Sequence, residues 1–519
     1  MSELLRASWD VVVIGTGMGG GTLGRALAEA GRKVLFIEKG PAGHRREETP
    51  LSHEIFVPEA RLARGLWPTP LRAVVDGREE RFYGPLGAGV GGSSVFYAAK
   101  LERPAPQDLD TTKAMPHPTG GWPVSFAAFE PYLAQAEAMY EVRGEVDALS
   151  PAPSRALPAP PEMSAVDRVI AERLRAAGMH PYHLHTAVKH IAGCKSCLGF
   201  KCPMTCKMDA RSAGVEPALA TGNAALLHSA EVTQLLGDGQ RISAIKLRLD
   251  GVTHVLSAPV FVLAGGAFGS PRLCLGSASE AFPEGVGNQS GLVGRGLMFH
   301  LNEMFAVWSG ITGGGPSEAV GFRDLLHHKG ARLGMVQAMG IDASYGEILH
   351  FLRLRLARSG LGQNRLMQAA ARLPAALVAQ LLGNANIFVG LMEDLAYDEN
   401  RVLPPDGTQI AFEYRLSEEL LARRRLFRRA IKRAFKGQRQ MFLSRAPELN
   451  YGHPCGTMRF GKDPKRAVLN GTGRVHTLAN LYVADASFMP SAMGVNPSLT
   501  IAAQALRVAE AIAERTTDG

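Results

Sequence analysis

Residues 10–20 read Asp10-Val-Val-Val-Ile14-Gly15-Thr-Gly17-Met-Gly19-Gly20, and this stretch decides the fold. Val11–Ile14 is a run of β-branched residues, which predicts a strand buried on both faces. Three glycines follow at once in the pattern G-x-G-x-x-G, at Gly15, Gly17 and Gly20. Gly24–Ala30 has helical composition, Gly31 ends that helix, and Lys33–Ile37 is a second buried strand closing at Glu38. Strand, glycine turn, helix, strand and acid in that order make a βαβ unit for a dinucleotide. Gly15 permits the tight turn, Gly17 lets backbone approach a pyrophosphate, and Gly20 allows close helix–strand packing. The pyrophosphate sits on the helix N-terminus, where free N–H groups and the dipole favour an anion. Glu38 is placed to accept from a ribose hydroxyl, and an acid there disfavours a 2′-phosphate. An ordinary glycine-rich turn explains the glycines but not the ordered unit around them.

Outward from this unit, the chain has 519 residues, enough for two to four domains and a large core. Apolar residues make up 46% and charged residues 20%, which excludes a disordered or fibrous chain. No uninterrupted apolar run reaches the roughly 18 residues of a spanning helix. The nearest, Leu373–Met392, is broken by Pro374, Gly383, Asn384 and Asn386. Met1–Ser8 lacks the apolar stretch of a signal peptide, so the expectation is a cytoplasmic protein, or one exported with a partner subunit.

Four of the six cysteines, Cys194, Cys197, Cys202 and Cys206, fall within 13 residues. Disulfide frameworks spread cysteines along a chain, whereas a cluster points to metal or redox chemistry. Thiolates are soft ligands that suit iron–sulfur clusters or zinc. A third reading is cysteines packed or paired without metal. Lys195, Lys201 and Lys207 would offset thiolate charge. Isolated Cys274 and Cys455 read as core or turn residues.

The formal net charge is +9, and Arg423–Arg439 alone holds nine basic residues and no acid. Phe427, Ile431 and Phe435 recur every four residues, which predicts an amphipathic helix with a basic face. The plain reading is a surface helix packed on the dinucleotide-binding domain. The sharper readings are an anionic membrane surface, giving peripheral membrane contact, or an acidic electron-transfer partner. Nothing resembles a nucleic-acid module. Ile387–Met392 and Gln409–Tyr414 read as strands, and Ile311–Pro316 as a glycine-rich loop.

The last seventy residues carry the chemistry. Asn450-Tyr-Gly-His453-Pro-Cys-Gly456-Thr457 is followed by Leu481-Tyr-Val-Ala-Asp485-Ala486-Ser, then by Met493-Gly-Val-Asn496-Pro497-Ser-Leu-Thr500 and a helix through Ala502–Glu514. Together with Gly89-Val-Gly91-Gly92-Ser93-Ser94 and Val260-Phe-Val-Leu-Ala264-Gly265, this block resembles the glucose–methanol–choline (GMC) oxidoreductases. Tyr482–Thr500 is similar to cholesterol oxidase. The resemblance implies an α/β fold: a Rossmann-like FAD-binding domain with an interleaved α+β substrate-binding cap. The expected FAD-binding segments are 1–110, 213–300 and 451–519. The cap takes 111–212 and 301–450, with the cysteine cluster at 194–206.

By the same resemblance, His453 is the base and Asn496 its partner. Gly15, Gly17, Gly20, Glu38, Gly91, Gly92, Ser93, Ser94, Val232, Ala264, Gly265, Asp485, Ala486, Asn496 and Pro497 bind FAD. Hydride leaves an alcohol carbon readily only as the hydroxyl proton is removed, which suits a neutral histidine. Many family members carry Asn where Tyr97 stands, so the polar contact that Asn makes to the flavin edge does not carry over to this position. Cys197-x4-Cys202-x3-Cys206 is similar to the spacing in iron–sulfur FAD sugar dehydrogenases, although Cys194 lies three residues upstream of Cys197 rather than beside it. That likeness implies an iron–sulfur cluster ahead of zinc, and an electron-transfer partner such as a cytochrome or a small carrier subunit. The function expected is FAD-dependent oxidation of a CH–OH group in a sugar, polyol or aminosugar. The alternatives are a sterol or other lipophilic alcohol oxidase, and a flavin-binding protein without alcohol turnover.

Overall fold

A computed structural model describes residues 2–43, 56–150, 157–194, 196–311, 313, 315–358 and 364–515. Its centre is a five-stranded parallel sheet in the order Leu481–Val483, Val260–Leu263, Val11–Ile14, Val34–Ile37, Ala224–Leu227. The expected first, second and third strands are all present and adjacent, Val11 pairing with Val34 on one side and Val260 on the other. Both faces are covered, which is why the strands read as unbroken apolar runs. The helix after the glycine turn spans Met18–Glu29, starting earlier than Gly24, and packs against the C-terminal helix Ser498–Arg515. Leu23, Leu27, Ala505 and Val508 close one face of the sheet with Val11 and Val13.

Gly15 has φ of +108°, and a Cβ there would strike the Ala264 carbonyl. The turn therefore comes up against the loop after the third strand only because it has no side chain. Crevices at the carboxyl ends of parallel strands are where such sheets take ligands.

A second, antiparallel sheet of six strands lies beside it, ordered Gln440–Phe442, Leu301–Val307, Asn386–Met392, Gly334–Asp342, Val320–Phe322, Tyr182–His183. The predicted 387–392 strand sits here, wholly buried. Ala411–Tyr414 instead runs parallel to Leu71–Val75 in a four-stranded sheet. Part of the expected 311–316 loop lies outside the described residues.

The basic segment forms the helix Glu418–Ala434. It does not pack on the dinucleotide-binding sheet: Phe427, Ile431 and Phe435 bury against Phe305, Phe388 and Leu301 of the six-stranded sheet. Its charges are also less free than the sequence suggests. Arg424 pairs with buried Glu303, and Arg428 reaches the same carboxylate at 3.3 Å. Arg423 is held by Glu419 and by the carbonyls of Arg332 and Glu393. Among the described residues no helix is long and apolar enough to cross a membrane.

Candidate active site

The glycine turn, the loop after the third strand and the C-terminal block open into one cavity of about 1350 Å³. Pockets for a single small ligand run to roughly 300–1,000 Å³, so this one has room for a dinucleotide and a second molecule. Of the residues predicted from sequence to bind cofactor or act in catalysis, all line this cavity except Gly20 and Gly91, which stand behind it. Gly17 faces open space where a side chain would point, as backbone approach to a pyrophosphate requires.

Glu38 ends its strand beside the turn with three of its roughly four acceptor positions filled. Oε2 accepts from the Thr16 hydroxyl at 2.6 Å and the Thr16 N–H at 3.2 Å, and Oε1 accepts from Gly40 N–H at 3.0 Å. Burial raises its pKa, opposed by those hydrogen bonds. Thr16, which sequence reasoning passed over, also accepts from Gly91 N–H at 3.1 Å. Its signal was available: a hydroxyl inside a glycine turn two residues past the end of a strand. Asp485 has all its acceptor positions filled by protein. Oδ2 takes Gly266 N–H and the Ser270 hydroxyl at 2.9 and 2.5 Å, and Oδ1 takes Ser487 N–H at 2.9 Å and the Ser487 hydroxyl. It braces the Ala264–Gly266 turn against the C-terminal block.

At the other end of the cavity His453 meets His300. Their Nδ1 atoms are 3.0 Å apart, and His300 Nε2 lies 3.0 Å from the Met493 carbonyl. A carbonyl only accepts, so His300 carries its proton on Nε2 and its Nδ1 is bare. The contact between the rings is then a hydrogen bond only if His453 carries its proton on Nδ1. That leaves His453 Nε2 bare, with no protein partner among the described residues. Asn450 Nδ2, 3.2 Å from His453 Nδ1, donates instead to Asn302 Oδ1 at 3.3 Å. Burial lowers His300 to about 4. Burial, with His300 beside it, lowers His453 to about 3. Asn496 Oδ1, on the same cavity, is buried and has no hydrogen-bond partner among the described residues. These open atoms are what a bound cofactor and an alcohol would satisfy, so the residues present fit FAD.

The four clustered cysteines do not line up along a surface but converge. Cys202 Sγ and Cys206 Sγ are 3.3 Å apart, Cys194 hydrogen-bonds Cys206, and Cys197 contacts Cys202. Cys202 also receives backbone N–H groups of Met204, Cys206 and Lys207. Even so, among the described residues no group of three or more His, Cys, Asp or Glu side chains is arranged to hold a metal ion. Lys207 is buried beside them and donates to the carbonyls of Val95, Tyr97, Cys197 and Phe200. It therefore ties the cysteine loop to the Gly91–Tyr97 loop, and the Tyr97 hydroxyl adds a 2.5 Å bond to Met208 O. Burial lowers Lys207 to about 8, opposed by Asp209 and the thiols. Cys274 and Cys455 are buried core residues.

Comparison with known proteins places the chain among relatives of one family. Sequence models described as GMC oxidoreductase match residues 10–302 and 396–505. Paromamine 6′-oxidase of Streptomyces fradiae is 29% identical over 97% of this chain and 91% of its own. The 2-methyl-1,2-propanediol dehydrogenase of Mycolicibacterium austroafricanum is 27% identical over 98% and 96%. The fructose dehydrogenase large subunit of Gluconobacter japonicus is 26% identical over 97% and 98%. Among solved structures, a formate oxidase superposes with a TM-score of 0.66 at 16% identity, covering 99% of both chains, which shows the fold.

Glu38→Gln tests the turn. It keeps the shape but removes the charge, and half of its acceptors become donors facing Thr16 or Gly40. FAD affinity, measured by fluorescence on titrating apoprotein, is expected to fall by about 1.5–3 kcal/mol.

Proposed function

The chain belongs to the GMC oxidoreductases, and from that premise we propose that His453 is the base and Asn496 the orienting amide of its alcohol oxidation. The enzyme is an FAD-dependent oxidoreductase acting on CH–OH groups. The observation that carries the residue roles is the pair of open atoms on one cavity, His453 Nε2 and Asn496 Oδ1.

FAD, held by the glycine turn and the C-terminal block, would supply the hydride acceptor for the carbinol carbon. Everything else falls to the chain. Burial keeps His453 neutral, so its bare Nε2 can take the hydroxyl proton as the carbon gives up hydride. Asn496 offers both an amide donor and an acceptor to the substrate oxygen, which fixes the carbinol in one orientation. His300 acts through His453 and is a positioning residue. By accepting from Nδ1 it selects the tautomer in which Nε2 is free, and its own bond to Met493 holds the ring plane. Gly15, Gly17, Gly20, Glu38 and the Gly91–Ser94 loop hold the dinucleotide.

The substrate is read as a polyhydroxylated alcohol: a sugar, polyol or aminosugar. Support comes from relatives whose names specify paromamine, a propanediol and fructose. It also comes from polar side chains that line the cavity, including Asn302, Asn450 and the Arg355–Glu448 pair.

A second cofactor reading rests on the converging thiols. Soft donors in a nest of backbone N–H groups, braced by Lys207 to the Gly91–Tyr97 loop, are the ligand type of an iron–sulfur cluster, and the cysteine spacing favours that over zinc, although the four thiols as they stand do not surround a metal position. Such a cluster would imply an electron-transfer protein as partner, a cytochrome or a small carrier subunit. Protein purified anaerobically is expected to contain iron and acid-labile sulfide, both lost in Cys202→Ser while FAD remains. Zinc without iron, or neither metal, contradicts this reading.

The base assignment has its own test. His453→Ala is expected to lower kcat by about 10²–10⁴ while FAD stays bound. His300→Phe keeps volume but removes the acceptor, and is expected to cost at least about tenfold in kcat through the wrong tautomer. The sign of the pH dependence follows from the lowered pKa. Protonation disables the base, and His453 stays neutral from pH 8 down through the usual value of 6.5 towards about 3. The acid limb of kcat/KM therefore lies well below the ordinary histidine range. An acid limb near 6.5 means that burial does not hold His453 down in the loaded enzyme, whereas normal turnover in His453→Ala places the base elsewhere.

A further inference from the structure

Between two strands of the six-stranded sheet the chain makes an excursion of three helices, Tyr345–Ala357, Arg365–Ala370 and Arg372–Leu382. None of the described side chains in the first helix is fully buried, although it contains Ile348, Leu349, Phe351, Leu352 and Leu354. The third buries Ala375 and Leu382 but exposes Leu373, Leu377 and Leu381, at 76%, 69% and 57%. These recur at i, i+4 and i+8, so they form one ridge on the helix side facing solvent. Leu366 of the short helix adds a fourth exposed leucine, at 79%. Isolated exposed leucines are ordinary, but a contiguous row is an interaction site.

Charge says what covers it. Residues 348–392 contain five arginines, Arg353, Arg355, Arg358, Arg365 and Arg372, and no acid. Arg355 pairs with Glu448, and Arg358 lies over the rings of Phe82 and Tyr451. Arg365 and Arg372, each one residue before an exposed leucine, have no carboxylate partner among the described residues. A second copy of this ridge would bring arginine against arginine, which disfavours self-association. Leucines in a row beside unpaired arginines match the boundary between acyl chains and anionic headgroups.

We propose that the Leu366–Leu381 ridge docks the enzyme on a lipid bilayer bearing anionic headgroups, lying in the interface rather than crossing it. At eleven residues the third helix is about 16 Å long, too short to span but long enough to lie in the plane. The docked face adjoins the cavity. Phe351, Leu354, Arg355 and Arg358 of the first helix line it, and Arg353 ties that helix to the short one through the Gln368 carbonyl. This assignment is independent of the base assignment and of the cysteine cofactor.

Co-sedimentation of the FAD-loaded enzyme with phosphatidylcholine–phosphatidylglycerol vesicles, and with phosphatidylcholine alone, tests it. Wild type is expected to partition onto the anionic vesicles, and added salt to weaken that binding. Leu373→Asp/Leu377→Asp should lower the partition coefficient at least about tenfold, since two apolar anchors are lost and two repelled charges gained. Arg365→Glu/Arg372→Glu should lose the preference for anionic lipid. Both variants should keep bound FAD and wild-type oxidation of a water-soluble alcohol with a dye acceptor. Wild type that stays in the supernatant overturns the proposal, and so does a leucine double variant that sediments like wild type. A wild-type dimer that these substitutions split, without vesicle binding, makes the ridge a self-interface and also overturns it.

Discussion

One hydroxyl holds the cofactor end of the cavity together. Thr16 donates to Glu38 at 2.6 Å and accepts from Gly91 N–H at 3.1 Å. It thereby joins the glycine turn, the end of the second strand and a loop seventy-five residues away. All three atoms are buried, so each would carry a desolvation cost if unpaired. The turn itself exists only because Gly15 can take φ of +108° against the Ala264 carbonyl. Asp485 performs the matching service on the opposite wall, with four donors on one carboxylate. A rigid crevice between these two carboxylates is what allows a dinucleotide to be held without the loops reorganising around it.

Catalytic geometry follows from burial in the same way. Two adjacent histidines would repel if both were charged, and burial penalises either charge. The pair is therefore neutral, and a neutral pair needs one shared proton in a defined direction. The Met493 carbonyl settles that direction, because it forces the proton on His300 to Nε2. Met493 stands three residues before Asn496, so the segment that positions the orienting amide also sets the tautomer of the base. The strand end that carries His300 is anchored in turn, Phe299 N–H donating to buried Asp394 at 3.0 Å.

Much of this was legible in the sequence, and the reason is locality. The glycine spacing, its flanking strands and Glu38 lie within one βαβ unit, where short-range sterics dictate the turn. The C-terminal block is likewise continuous, so His453, Asp485 and Asn496 stand out together. His300 did not, because its partner is 153 residues away and nothing in Phe299-His300-Leu301 marks a special role. The basic helix packs on the six-stranded sheet and not, as its sequence suggests, on the dinucleotide-binding one. Its apolar face was read correctly, but apolar periodicity does not say which sheet receives it, and the buried acid that neutralises Arg424 lies 121 residues upstream. Clustered cysteines predicted proximity, whereas the bracing of their loop by Lys207 depends on carbonyls from two separate loops. Of the exposed leucines, Leu373, Leu377 and Leu381 lie in the interrupted apolar run 373–392 and Leu366 lies outside it; their exposure is a property of the folded cap and not of the run.

The central claim is that an alcohol's hydride leaves through a cavity built for FAD with His453 as the acceptor of its proton. Its most direct test is the flavin absorbance of the purified protein under anaerobic mixing with polyols, normal and deuterated at the carbinol carbon. About one FAD per chain is expected, bleaching on mixing and bleaching more slowly with the deuterated alcohol, because the C–H bond breaks as the flavin is reduced. A colourless chain that takes up no added FAD would contradict it.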